Sequence, residues 1–192
     1  MKSQQGIGLI EVLVALLLLA VAILGFSAMQ INAVKATDEG LMRSRAMAII
    51  RTGSEMMRAN PNGIETFKTT LNTGTPPTLP DSDKTVTTSS CQIITQASVS
   101  QSDYCSVEKL AARDALVMRQ YALDNEIRLK LETCPGTSGT QERRCFIASW
   151  GDTQPTLAAT DVASSTLAST VYCADKDGMY YPGSQCFILE TY

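Results

Sequence analysis

Apolar residues run almost unbroken from Ile7 to Ile31, behind a polar leader, Met1–Gln5, and a single glycine, Gly6. A hydrocarbon core about 30 Å thick needs ~20 helical residues, so this run is long enough to cross a bilayer. Beyond Ile31 the pattern turns amphipathic. Met42, Ala46, Ile49, Ile50, Gly53 and Met57 fall on one helical face, while Lys35, Glu39, Arg43, Arg51, Glu55 and Arg58 supply the polar remainder. Asn60-Pro61-Asn62-Gly63 is a strong breaker. The spacing predicts one helix from about residue 7 to 59, its first half in lipid and its second half packed against a globular head.

Residues 66–103 are rich in Thr, Ser, Pro and Gln, and Thr75-Pro76-Pro77 and Pro80-Asp81-Ser82-Asp83 mark loops there. One or two short strands are expected around Gln92-Ile93-Ile94-Thr95. A second helix is expected from Ser106, a plausible N-cap with Glu108 in the first turn, to about Glu132. Leu110, Leu116, Val117, Tyr121, Leu123, Ile127 and Leu131 form its apolar stripe, and Cys134-Pro135-Gly136 ends it. Arg144–Trp150 reads as a strand with Phe146, Ala148 and Trp150 on one face. Thr166–Ala174 and Gln185–Tyr192 read as two more, with a turn at Asp175-Lys176-Asp177-Gly178 between them. The expected fold class is α+β: a long N-terminal helix packed on a small antiparallel sheet of three to five strands, with a second helix.

Composition then removes chemistry. The chain has 192 residues, a net charge of −3 and no histidine. Catalysis built on Ser-His-Asp or Cys-His, most zinc sites and histidine pH switches are thereby lost. No basic stripe suggests nucleic acid. Asp175, Asp177 and Gly178 match only part of a calcium loop and read instead as a β-turn. No catalytic residue, metal or cofactor is expected, and the chain is not expected to be an enzyme. The six cysteines all lie beyond the apolar run, in even number, with no C-x-x-C pair. That favours disulfides in an oxidising compartment. Six cysteines allow 15 pairings. Sequential pairing is the expected one: Cys91–Cys105, Cys134–Cys145 and Cys173–Cys186, each across a short loop containing turn residues. Such a loop contributes about 3 kcal/mol on the chain-entropy model.

One charge stands inside the apolar run. Glu11 costs up to ~3 kcal/mol if it lies deep in lipid, so something must neutralise it. A cleaved secretory signal has a basic leader, here Lys2, but a shorter apolar stretch. A plain one-span anchor fits the length and gives no reason for the carboxylate. Gly6-Ile7-Gly8-Leu9-Ile10-Glu11-Val12-Leu13-Val14-Ala15 closely resembles the class III signal of type IV pilins and pseudopilins, with Ile7-Gly8 in place of the usual Phe-Thr. The resemblance implies cleavage by a prepilin peptidase between Gly6 and Ile7, N-methylation of Ile7, and an assembly role for Glu11. The amino group freed by cleavage in a neighbouring subunit would then be the partner of the carboxylate. The implied division is a leader at 1–6, a transmembrane assembly helix at 7–31, its amphipathic continuation at 32–60 and a disulfide-stabilised head at 61–192.

Other segments narrow the resemblance. Ser44-Arg45-Ala46, Met56-Met57-Arg58-Ala59-Asn60-Pro61, Leu110-Ala111-Ala112-Arg113-Asp114 and Cys145-Phe146-Ile147-Ala148-Ser149-Trp150 are similar to minor pilins of the PilV type. Major pilins often carry a helix-breaking proline late in the membrane segment, where this chain has only Gly25 and Ser27. The resemblance implies a minor pilin in a tip or priming complex serving motility, adhesion or DNA uptake. It also implies a single span of the bacterial inner membrane with the head in the periplasm, and later a place in the pilus. The implied partners are other minor pilins, the major pilin, the prepilin peptidase and the inner-membrane assembly platform, with no direct nucleic-acid contact. Two alternatives stay open: a minor pseudopilin of a type II secretion system, and a surface-binding adhesive tip module.

Overall fold

The structure is a computed structural model that describes residues 8–79, 85–91, 105–137, 142–158 and 172–191. It divides into two compact units, Met1–Met42 and Arg43–Tyr192. Helix α1, Leu9–Ala59, is 51 residues long and supplies the first unit with its regular structure. The second unit contains the end of α1, a 3-10 turn at Pro61–Gly63, α2 (Ile64–Thr73), α3 (Val107–Asp124), β1 (Arg128–Thr133), β2 (Arg144–Ser149) and β3 (Cys186–Thr191). The strands form one antiparallel sheet in the order β1-β2-β3, with Leu131 opposite Phe146 and Phe146 opposite Leu189.

In the second unit the apolar face read from the sequence is buried: Ala46, Ile49, Ile50, Gly53 and Met57 all lie inside. Gly53 is where α1 comes closest to its neighbours. A Cβ there would overlap the Met118 thioether of α3 and stand 2.9 Å from Phe146 Cζ of β2. A mid-helix glycine costs about 1 kcal/mol relative to alanine. Close packing accounts for its presence here. Phe146 is fully buried and meets Phe67 of α2 edge-on, ring centroids 6.3 Å apart. The next residue, Ile147, packs against the Cys173–Cys186 disulfide with Leu157 and Ile188. Both faces of β2 are therefore covered, and Cys145–Ser149 is buried throughout rather than on alternate residues.

The expected helix over 106–132 stops at Asp124, and its last five positions, 128–132, belong to strand β1. Ile127 N–H donates to Ala122 O at 2.9 Å and Glu126 N–H to Leu123 O at 2.9 Å, a Schellman ending. Its left-handed position, φ 60°, holds Glu126 where glycine is usual, so the stop carries no composition signal. Ile127, Leu129 and Leu131 then alternate inward as a strand does. The same residues also fit a helical stripe, and the two periods cannot be told apart over so short a run.

A second difference is α2, which lies in the stretch read as loop-rich. Phe67, Thr70 and Leu71 face inward, and Gly74 ends the helix at φ 78° with its N–H on Thr70 O at 2.8 Å. Arg119 Nη1 of α3 also donates to the Leu71 carbonyl, 2.8 Å away. The loop after α2 sends Leu79 and Val86 onto Ala112 of α3. Of the other readings, the strands around Gln92–Thr95, the Pro80–Asp83 loop and positions 166–171 lie outside the described residues. Ala174 makes isolated bridges to Leu157 and Tyr180.

On each outer strand one residue has free backbone groups met by a side chain. Asn72 of α2 donates Nδ2 to Leu131 O and accepts Leu131 N–H at Oδ1, both at 2.9 Å, so it mimics one rung of a fourth strand on β1. On β3, Ile188 N–H donates to Tyr180 Oη at 3.0 Å. Such covering removes a template for unwanted strand pairing. Three disulfides tie the loops: Cys91–Cys105, Cys134–Cys145 and Cys173–Cys186, with Cα separations of 5.6, 4.9 and 5.8 Å.

Asn72→Ala strands two part-buried backbone groups, and is expected to lower stability by about 1–3 kcal/mol in urea denaturation. Asn72→Asp keeps the acceptor but loses the donor, so it should be no milder; a neutral result for both would remove the bridge from the account. Gly53→Leu forces Met118 and Phe146 aside, at an expected cost of about 1–3 kcal/mol. Met118→Ala opens the space that leucine needs. The double variant should therefore be more stable than the sum of the two single losses, as a double-mutant cycle reads directly.

Candidate functional site

The residues that carry chemistry cluster at the start of α1. Gly6 and Ile7 lie outside the described residues, and Gly8 is the first that can be placed. Its carbonyl accepts from Glu11 N–H at 2.9 Å and Val12 N–H at 3.4 Å, which makes Gly8 the N-cap and Glu11 the third helical residue. The carboxylate thus stands in the first turn, where the helix dipole is positive and the leading N–H groups lack intrahelical acceptors. This is the end of a helix that best tolerates an acid. The sequence showed the charge but not that Gly8 caps it, because glycine is a weaker N-cap signal than Ser, Thr, Asp or Asn.

Around Glu11 the surface is apolar. Leu9, Ile10, Leu13 and Leu16 expose more than half their area, with Leu9 at 79%. Among the described residues the Glu11 carboxylate forms no hydrogen bond and no ion pair. Further along, Ser27 Oγ donates to Ile23 O and Thr37 Oγ1 to Ala33 O, each at 2.9 Å, so these hydroxyls are satisfied by their own helix. Among the described residues α1 is the one helix long and apolar enough to cross a membrane. Its apolar surface over 9–31 and the Glu11 carboxylate can pair with lipid and a cation. No other chemistry is suggested by their arrangement.

Elsewhere the candidates dissolve into structure. Asp175 Oδ1 accepts from Asp177 N–H at 2.9 Å and Met179 N–H at 2.8 Å, while Gly178 N–H returns to Asp175 O, so the carboxylate closes a turn. Among the described residues no group of three or more acidic or cysteine side chains is gathered to hold a metal. Trp150 is a core residue, 3% exposed.

Comparison with known families bears on the same end of the chain. Residues 1–27 match the prokaryotic N-terminal methylation motif, and residues 28–116 match the Tt1218-like family, type IV pilin Tt1218. The matches support a type IV pilin. No curated protein and no solved structure matches the chain. The architecture is consistent with the type IV pilin-like α+β fold: a long apolar N-terminal helix, further helices and a three-stranded antiparallel sheet. The methylation motif implies processing by a peptidase and assembly into a pilus, and the apolar helix suggests a membrane-anchored protein. The sheet itself, 128–191, lies beyond both matched ranges.

The division of the chain into two units sets an expectation for the anchor. A fragment starting at Arg43 keeps the buried core and the disulfides, and is expected to remain in solution without detergent. The full chain should pellet with membranes and resist alkaline extraction. Sedimentation of both species, with urea denaturation of the fragment, reads the result; extraction of the full chain by carbonate alone would exclude a spanning helix.

Proposed function

We propose that the chain is a minor pilin of the PilV type that joins other minor pilins in a tip or priming complex from which the pilus polymerises. The observation that carries the proposal is Glu11, a carboxylate without a partner among the described residues, near the start of an apolar helix and five residues after Gly6. In this reading the prepilin peptidase cuts between Gly6 and Ile7, and the new terminus on Ile7 is methylated and positively charged. An isolated charge is costly in a medium of low dielectric, so the amino group of one subunit and Glu11 of the next are best satisfied by docking. An ion pair of this kind is sensitive to geometry. It sets axial register more than it adds net stability.

The reading places one span in the bacterial inner membrane, with 61–192 as the periplasmic head. Its three disulfides suit that compartment. The resemblance of the 44–46, 56–61, 110–114 and 145–150 segments to PilV-type minor pilins supports the minor role, and the assembly platform and major pilin are its further partners. Catalysis has no place in the scheme, since the chain is the substrate of the peptidase.

Glu11→Ala is expected to leave cleavage and methylation at Ile7 intact by mass spectrometry, while co-purification with other minor pilins falls at least tenfold. Normal co-purification would sink the ion-pair role. A gene deletion should abolish surface pili and spare exoprotein secretion. The reverse pattern would assign the chain to a type II secretion system, and surface binding by the isolated head would favour an adhesive module.

A further inference from the structure

A cleft of about 810 Å³ lies between α1 and the outer strand β3 in the second unit. Residues 51–58 of α1 form one wall and residues 189–191 of β3 the other, and Glu142 and Arg143 complete the lining. Earlier on the same helix, Arg43 stands over the Phe187 ring, 5.6 Å from its centroid, so α1 runs along this side of β3. The α1 wall is about 10 Å long at 1.5 Å per residue, a length that about three residues of extended chain cover. The strand bordering the cleft is open at this point. Trp150 N–H donates to Gln185 O at 3.0 Å, which fixes the alternation of the β2–β3 ladder. Phe187, Leu189 and Thr191 turn their backbone groups to β2, while Ile188 and Glu190 turn theirs outward. Ile188 N–H is met by Tyr180 Oη. Among the described residues no hydrogen bond reaches Ile188 O or the outward N–H and C=O of Glu190.

Charge sets what the cleft can take. Glu55 pairs with Arg58 at 3.5 Å, Glu190 with Arg143 at 2.7 Å, and Glu142 Oε1 accepts from Thr133 Oγ1 at 2.7 Å, so each lining carboxylate is engaged. Arg51 is exposed and, among the described residues, forms no hydrogen bond or ion pair. The unmet groups are therefore a short row of backbone donors and acceptors with one cation facing it. We infer that this edge of β3 takes up an extended segment of a partner protein as an added strand, with an acidic side chain of that segment on Arg51. Main-chain hydrogen bonds at Ile188 O and Glu190 hold the segment, as in other strand additions to an open sheet edge, and the α1 wall selects its charge. Asn72 sets the pattern on the opposite edge, where its side chain stands in for one residue of such a strand on β1. Tyr180 closes the row at Ile188 N–H and so limits how far the added strand runs. This contact is separate from the assembly role proposed for Glu11, and it needs neither processing nor helix packing between copies.

The test uses the full-length chain in detergent and a dye-labelled, amidated peptide, Thr-Val-Thr-Glu-Val-Thr-Val, as probe. Saturable binding is expected by fluorescence anisotropy, at least threefold tighter than for the same peptide with lysine in place of glutamate. Arg51→Glu should weaken binding of the acidic peptide about fivefold, the scale of an exposed ion pair, and reverse the preference. Glu190→Pro removes an N–H that the sheet does not use, a change an edge strand tolerates, and should abolish binding. Glu190→Ala gives up the Arg143 pair but keeps the N–H, so it should bind the acidic peptide at least as tightly as the parent. A cooperative melt checks that each variant folds; should the proline variant fail it, the charge reversal at Arg51 still decides. No saturable binding, equal loss in both Glu190 variants, or an unchanged preference in Arg51→Glu would each overturn the inference. Self-association of the chain that Glu190→Pro removes would give the edge to a second copy and overturn it as well. Glu11→Ala should bind the probe normally, so failure here and failure of the assembly role are read apart.

Discussion

The close approach at Gly53 is the constraint on which the second unit depends. With no side chain at that position, Met118 of α3 and Phe146 of β2 can both lie against α1. Phe146 then meets Phe67 of α2, and one glycine brings three helices and the central strand to a common point. The position is worth its helix penalty because dispersion and burial act over several partners, whereas the propensity cost falls on one residue. Edge protection follows from the same arrangement. With α2 held against β2 through Phe67, its next turn carries Asn72 to the backbone of Leu131.

Legibility from the sequence divides along physical lines. The buried face of α1 could be read because its period is sustained over several turns and ends at Asn60-Pro61. Helix α3 could be read at its start, where Ser106 caps it by accepting from Lys109 N–H at 3.2 Å. Its end could not, because the stop is a backbone motif at Glu126, a residue type that does not announce a left-handed conformation. Helix α2 was hidden for another reason. Its turns are written Phe-Lys-Thr-Thr-Leu-Asn-Thr, and threonine favours strands and loops until burial and Gly74 decide otherwise. Nor does Asn72 give a sequence signal, since its role is set by a strand that lies far along the chain.

The candidate site was legible to a different degree. A carboxylate in an apolar run stands out in any sequence, and Gly6-Ile7 next to it suggests the chemistry. Gly8 as the cap, and the placing of Glu11 in the first turn, needed coordinates. Among the described residues nothing neutralises the charge. Among the described residues the first unit is helix with exposed aliphatic side chains, and its hydroxyls turn back on their own carbonyls.

That contrast explains why the two units have opposite chemistry. In the second unit, sheet-edge groups meet Asn72 and Tyr180, and the cysteines are tied to one another. Its three disulfides limit what its unfolded state can gain in entropy. The apolar run of the first unit has a surface that water penalises and one acid, Glu11, that lipid penalises. No single solvent suits both. A lipid bilayer takes the aliphatic surface and leaves the charge; a neighbouring subunit with a cation at the right height takes both. In the proposed reading, association in the membrane is thus favoured by the residue that makes the lone helix least comfortable there.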